Sequence, residues 1–230
     1  MRNVGLKSAR LKLAAAVLGQ FVGLALVSPA SWAVFDEPKK ADAQADAPAA
    51  TPEAQAALDA GLAAVREADE ANGVAGTGAG ASKKLSPAAK AAYTKARAKF
   101  DEATKADPKL AQAWNGLGYS NRKLGDYKTA LAAYDKAIEL RMGYPEATEY
   151  RGEAYLALNR TEDAKQAYLD LFAVNRELAG KLLESMKAWI ASPGKKKDDV
   201  TDLNEFVQER AKIASQTAAL TRESATQGWK

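Results

Sequence analysis

Three glutamates are the clearest candidates for chemistry in this sequence: Glu146, Glu149 and Glu153. Spacings of three and four residues place them on a single face if the segment is helical. Like charges this close repel one another, so a cationic or amide-rich ligand could bind there and relieve the repulsion. The same three side chains could equally be an ordinary solvated helix face.

Paired carboxylates also act as the acid and base of glycoside hydrolases. That chemistry needs an environment that separates their pKa values, which one helical turn in a shallow groove is not expected to supply. The chain contains no cysteine and no histidine. This excludes disulfides, Cys/His metal sites, cysteine nucleophiles and Ser-His-Asp triads. We therefore expect a protein that is not an enzyme and has no cofactor or metal.

The elements that would position the glutamates repeat every 34 residues. At that interval Gly118 is followed by Gly152, and Tyr134 by Tyr168. The same step backwards relates Tyr134 to Phe100. The pattern Trp114-x-x-Leu117-Gly118, followed by Ala130-x-x-x-Tyr134, resembles the tetratricopeptide repeat family, in which each repeat is a helical hairpin. The resemblance covers roughly residues 86–175.

This resemblance implies an all-α protein, a short right-handed tetratricopeptide helical solenoid with C-terminal capping helices. The repeat helices are expected at about 111–124, 127–140, 145–158 and 162–175. Earlier helices are expected at 52–72 and from Ser86-Pro87 to Asp107. The expected segments are a signal peptide (1–33), a disordered tether (34–51), a helix with a glycine-rich loop (52–85), the repeats (86–175), capping helices (176–217) and a flexible tail (218–230). Residues 52–72 could instead be the first helix of a repeat whose inter-helix turn contains the glycine-rich loop.

The resemblance also implies a ligand groove on the concave face, lined by the first helix of each repeat. The residues that it places there are Gln112, Asn115, Tyr119, Arg122, Lys123, Glu146, Glu149, Glu153 and Leu156. Some family members clamp a partner's terminal carboxylate with lysine and asparagine on this face. Asn115 and Tyr119 occupy those positions here, beside glutamates, so an acidic C-terminal peptide is not expected to bind.

The charges on neighbouring repeats are expected to form an exposed basic edge beside an acidic strip. Arg122 and Lys123 end the first helix of one repeat, and Glu149 and Glu153 lie on that of the next. Exposed pairs contribute only about 0–1 kcal/mol to stability. Reversing both glutamates to lysine is therefore expected to leave the fold intact and abolish partner binding.

The N-terminal segment has the organisation of a secretory signal peptide. Residues 1–33 contain four basic and no acidic side chains, followed by an apolar run at 13–27 and a small-x-small site at Ser31-Trp32-Ala33. Cleavage there would make Val34 the mature N-terminus and would remove a charge equal to the formal +4 of the whole chain. The apparent basicity then belongs to the signal, and neither a nucleic-acid surface nor a stable membrane anchor after cleavage is expected. An uncleaved signal anchor is the alternative.

These features favour a periplasmic scaffold that binds another protein or peptide in its concave groove. A secreted location is the alternative to the periplasm. The alternative functions are a cell-wall or carbohydrate-processing factor that uses the acidic strip, and an assembly or chaperone-like factor. The sequence does not identify the partner or the oligomeric state.

Overall fold

The computed structural model of the chain describes residues 50–73 and 84–226, with side-chain environments up to residue 217. These residues form eight helices and no strand. The helices are α1 (Pro52–Asn72), α2 (Pro87–Ala106), α3 (Ala111–Lys123), α4 (Tyr127–Leu140), α5 (Pro145–Ala157), α6 (Thr161–Val174), α7 (Arg176–Ala191) and α8 (Lys197–Thr226). The expected signal peptide, the tether up to residue 49, the glycine-rich loop at 74–83 and Trp229 lie outside the described residues.

Side-chain caps and prolines set the helix starts. The Thr51 and Ser86 hydroxyls accept hydrogen bonds from backbone N–H groups three residues later, at 3.2 and 3.1 Å. A proline follows each cap at the first helical position, where the missing N–H removes no helical hydrogen bond. Asp126 caps α4 in the same way, through the Thr129 N–H at 3.2 Å. The helices therefore begin within about one residue of their predicted positions.

The first hairpin is formed by α1 and α2, which run antiparallel. Ser86 Oγ donates a hydrogen bond to the Ala71 carbonyl at 3.0 Å at one end of the pair. Near the middle of α1, a Cβ added to Gly61 would lie 2.6 Å from the Phe100 ring. The same distance separates a Cβ at Gly118 from the Tyr134 ring in the α3–α4 hairpin. Helix α1 thus packs as the first helix of a repeat, the second of the two possibilities that the sequence left open.

The odd-numbered helices form one continuous layer. Helix α3 packs on α1, α5 on α3, and α7 on α5. Each even-numbered helix packs on the odd-numbered helices before and after it, and α8 completes the array against α7 and α6. Two clusters of buried apolar side chains result, one from α1 to α5 and one from α5 to α8, with Tyr155 packed against both.

The C-terminal helix is longer than expected. Helix α8 continues to Thr226, whereas the flexible tail was expected to start at residue 218. Residues 217–226 contain alanine, leucine, arginine and glutamate and no proline or glycine, so nothing in this stretch interrupts a helix. None of the helices in residues 50–73 and 84–226 has both the length and the hydropathy needed to cross a bilayer.

Candidate functional site

All nine residues expected in the groove lie on α3 and α5, which are neighbours in the odd-numbered layer. Gln112, Arg122, Lys123 and Glu146 are partly exposed. The other five are buried: Asn115, Tyr119, Glu149, Glu153 and Leu156. The candidate site is therefore a polar layer between helices, and only part of it reaches the surface.

The prediction that the acidic strip is exposed is wrong for two of its three glutamates. Glu149 is 2% exposed and Glu153 is 3% exposed, because the next odd-numbered helix packs over this face of α5. The prediction that Leu156 lines the groove is also wrong, since Leu156 is 0% exposed and belongs to the C-terminal apolar cluster. Its role is packing between α5 and its neighbours.

Arg122 and Glu153 form an ion pair that joins α3 to α5. A basic helix end and an acidic helix therefore meet at this contact as expected, but not on an exposed surface, since the Arg122 side chain is 10% exposed and that of Glu153 is 2% exposed. Arg122 Nε also donates a hydrogen bond to Tyr134 Oη at 3.3 Å. Glu153 Oε1 accepts one from Ser185 Oγ of α7 at 2.9 Å. A single chain of polar contacts therefore links α3, α5 and α7.

Aromatic rings surround this ion pair. The Arg122 guanidinium carbon lies 5.3 Å from the Tyr119 ring centroid and 5.2 Å from that of Tyr150. Lys123 Nζ lies 5.2 Å from the Tyr119 centroid. Burial, reinforced by the nearby Arg122 charge, lowers the pKa of Lys123. Within the described residues Lys123 has no carboxylate at ion-pair distance.

Glu149 differs from Glu153 although both lie on the same helix face. Its Oε1 atom is buried and has no hydrogen-bond partner. Burial raises the pKa of Glu149 well above its ordinary value, and the neighbouring Glu153 carboxylate raises it further. The Arg122 charge is the largest influence that lowers the pKa of Glu149, and it does not reverse the shift. The argument that these carboxylates lack a desolvated environment, made from the sequence, is therefore wrong for Glu149.

Two further acceptor atoms on the same face lack partners. They are Asn115 Oδ1 on α3 and Glu146 Oε2 on α5. The Asn115 amide donates through Nδ2 to Tyr144 Oη at 3.5 Å, which leaves its oxygen unpaired. Buried acceptors without partners destabilise a folded protein, so each of them indicates a site that a donor could fill.

Asp69 extends the polar layer to α1 and was not predicted from the sequence. Tyr93 Oη donates a hydrogen bond to Asp69 Oδ1, and Tyr119 Oη donates to the same oxygen at 3.5 Å. Burial raises the pKa of Asp69, while the Tyr93 hydrogen bond acts in the opposite direction. The available signal was its spacing of four residues from Val65 and seven from Leu62 on the apolar face of α1.

The acidic residues do not form a recognisable metal site. Within the described ranges, no group of three or more acidic side chains has an arrangement that could hold a metal ion. The arrangement offers acceptor oxygens to a ligand that brings hydrogen-bond donors.

Residues 88–145 and 122–180 each match the sequence model of the tetratricopeptide repeat family. Among solved structures, the chain is similar to the first TPR of Spaghetti (RPAP3) bound to the HSP90 peptide SRMEEVD. The identity is 16% and the TM-score 0.40, over 67% of this chain and 95% of that one. It is also similar to the first TPR domain of the human RPAP3 protein, at 19% identity and a TM-score of 0.41, over 57% of this chain and 93% of that one. No curated protein sequence matches the chain significantly.

Proposed function

We propose that this chain, whose residues 88–180 match the tetratricopeptide repeat family, is an exported scaffold that binds another protein or peptide. Repeat arrays of this kind present extended concave surfaces to their partners. We place the binding surface on the groove face of α3 and α5. The protein acts by binding, not by catalysing a reaction.

The distribution of buried polar side chains carries this proposal. Among the residues whose side chains the structure describes, nine polar or charged ones are buried, and seven of these lie on α3, α5 and α7: Asn115, Ser120, Asn121, Thr148, Glu149, Glu153 and Ser185. Ser120, Asn121 and Thr148 bond to carbonyls of their own or the preceding turn. The remaining four form the polar layer between helices, and two of them have an unpartnered oxygen. A face needed only for packing would be apolar, because buried polar groups cost free energy unless they are bonded.

Export is proposed from the N-terminal sequence, and the periplasm is the compartment that we propose. The basic residues, the short apolar run and the small-x-small site together favour cleavage before Val34. N-terminal sequencing of the protein purified from the cell envelope should give Val34. A protein that retains Met1 would contradict cleavage.

Capture of binding partners from the native envelope tests the scaffold function. We expect Glu146→Lys to reduce capture, because Glu146 is partly exposed on the groove face. Glu205→Lys makes the same charge change at an exposed position of α8 and should capture like the unmodified chain. Melting temperatures of both variants should stay close to the original, since neither residue is in an ion pair in the described structure. Equal capture by both variants would mean that the groove is not the binding surface.

A further inference from the structure

A row of three aromatic rings joins α6 to α8 at the C-terminal end of the array. The Tyr168 ring centroid lies 5.8 Å from that of Phe172 on the same helix and 5.5 Å from that of Phe206 on α8. Tyr168 is buried, whereas Phe172 and Phe206 are partly exposed. The two outer rings therefore reach the surface along the line where α6 and α8 meet.

An arginine lies over each outer ring. The Arg176 guanidinium carbon is 4.8 Å from the Phe172 centroid, and that of Arg210 is 5.1 Å from the Phe206 centroid. A guanidinium that lies over a ring keeps its N–H donors at its edge, where they can still bind an anion. The rings thus hold both guanidinium groups on either side of the same tyrosine and leave their donors available.

The Tyr168 hydroxyl is a point on which both charges act. Burial raises the pKa of Tyr168, and the charges of Arg210 and Arg176 both act in the opposite direction. Within the described residues this hydroxyl makes no hydrogen bond, and its oxygen is not fully buried although the ring is. A tyrosine hydroxyl can donate to a carboxylate oxygen. Two cations and one donor therefore act on the same part of the surface.

Neither arginine is fully paired in the part of the chain that the structure describes. Arg176 is exposed and has no carboxylate at ion-pair distance. Arg210 pairs with its exposed neighbour Glu209 at 3.2 Å, and Arg210 Nε has no hydrogen-bond partner. Exposed pairs of this kind are weak, so a better placed carboxylate can compete with Glu209. Lys165, which also lies near Phe206, is already paired with one carboxylate of α6 and one of α8.

An apolar stripe on α6 adjoins the arginines. Leu169, Phe172 and Ala173 are spaced by three and four residues and therefore share one face of the helix. Leu169 is 39% exposed, and Ala173 is also exposed. A free inorganic anion would gain nothing from this stripe, whereas a polypeptide with an apolar residue beside a carboxylate would contact both features. The surface therefore favours a polypeptide ligand.

We propose that the α6–α8 face, defined by Tyr168, Arg176 and Arg210, binds a side-chain carboxylate of a partner protein beside an apolar residue that packs on Leu169 and Phe172. The two arginines form charged hydrogen bonds to the carboxylate oxygens, and the Tyr168 hydroxyl donates a third. Because the rings hold the guanidinium groups in place beforehand, less side-chain freedom is lost on binding. The site lies outside the groove of α3 and α5 and is independent of the binding proposed there.

A library of short synthetic peptides with blocked termini, incubated with the purified full chain, tests the proposal. Blocked termini leave side chains as the only source of carboxylates. We expect the retained peptides to share an aspartate or glutamate beside an apolar residue. Replacing that acid with asparagine or glutamine keeps the shape of the side chain, removes its charge, and should weaken binding about tenfold or more.

Substitutions in the chain locate the site. Arg176→Gln and Arg210→Gln should each weaken binding of the acidic peptides about tenfold and leave their neutral analogues unaffected. Tyr168→Phe keeps the row of rings, removes one donor, and should weaken binding about fivefold. Arg66→Gln makes the same charge change at an exposed position of α1 and should bind like the original chain. Melting temperatures should stay close to the original, because no buried hydrogen bond or buried ion pair is lost.

The other outcomes would each overturn the carboxylate site. These are a library that retains no acidic peptide, and acidic peptides that bind the two arginine variants as tightly as the original chain. Displacement of the peptides by inorganic phosphate at equal concentration would assign the arginines to free anions in place of a polypeptide. Acidic peptides sensitive to Glu146→Lys but not to the arginine changes would bind in the groove, which would support the scaffold function and refute the α6–α8 face.

Discussion

At the scale of single residues, two glutamates on the same face of one helix have different environments. Glu153 has Arg122 and Ser185 as partners, whereas Glu149 has a buried oxygen with none. The expectation that both could become lysine without loss of the fold assumed exposure to water. Lysine at 153 would place a second cation beside the buried Arg122, so the double change is now expected to destabilise the protein strongly.

Neutralising each glutamate separately should reveal this difference. We expect Glu153→Gln to lower the free energy of unfolding by about 3–5 kcal/mol, because it leaves the buried Arg122 without a counter-charge. Glu149→Gln should leave stability unchanged or raise it, since it removes a poorly solvated carboxylate and keeps the shape of the side chain. Urea unfolding at neutral pH measures both changes. Similar losses in the two variants would mean that Glu149 is paired in solution.

The pH dependence of stability provides the second part of this test. The folded-state pKa of Glu149 is raised above its ordinary value of 4.5. Folding is favoured by this raised pKa because the folded chain holds the Glu149 proton more tightly than the unfolded chain. This contribution to the free energy of unfolding is complete below about pH 4.5 and is lost as the pH rises through the folded-state pKa. The unmodified chain should lose stability over that rise. Glu149→Gln should lose less, with a residual slope from Asp69, whose pKa is also raised.

At the scale of helices, the sequence predicted the array well because its boundaries depend on local chemistry. Capping side chains, prolines and turn glycines mark where the helices begin and end, and the structure follows them closely. What the sequence could not predict depends on contacts between helices. Arg151 of α5, for example, forms an ion pair with Asp135 of α4 at 2.9 Å. The burial of Glu149 likewise requires knowing how closely α5 and α7 pack.

Glycine substitutions test the close helix contact that the 34-residue repeat implies. A Cβ at Gly118 would lie 2.6 Å from the Tyr134 ring, which is fully buried and cannot move aside. We expect Gly118→Ala to lower the free energy of unfolding by about 1–3 kcal/mol through overpacking. Gly180 of α7 is exposed, with nothing within 4 Å of its added Cβ. Gly180→Ala should therefore raise stability by about 0.5–1 kcal/mol, since alanine favours the helix.

Thermal unfolding of the two variants distinguishes packing from propensity. If helix propensity alone mattered, both substitutions would raise the melting temperature. Opposite shifts are expected here, and an increase in Gly118→Ala would mean that the α3–α4 interface is looser than the structure shows.

At the scale of the whole molecule, the fold follows from the repeat, but the ligand does not. The repeat places Asn115 and Glu149 at equivalent positions of α3 and α5, 34 residues apart, and both were predicted to line the groove. Their burial and their unpartnered oxygens depend on contacts between helices, which the period does not specify. The molecule also divides into two apolar clusters that meet at α5, around Tyr155. In a solenoid each repeat contacts only its neighbours, so such clusters can open separately.

Hydrogen exchange should show this division. Leu203 of α8 is 0% exposed and belongs to the C-terminal cluster. Leu203→Ala should cost about 2–5 kcal/mol by creating a cavity, and amide exchange should rise in α6, α7 and α8 more than in α1 and α2. Leu169→Ala, at a position 39% exposed on α6, removes the same atoms and should change exchange little.

A uniform rise across all helices in Leu203→Ala would show that the array opens as a single unit. A rise confined to α6–α8 would mean that the repeat from α1 to α4 remains folded while its C-terminal cap opens. The groove between α3 and α5 would then lie next to the boundary between the two clusters, where a partner bound to α5 stabilises both.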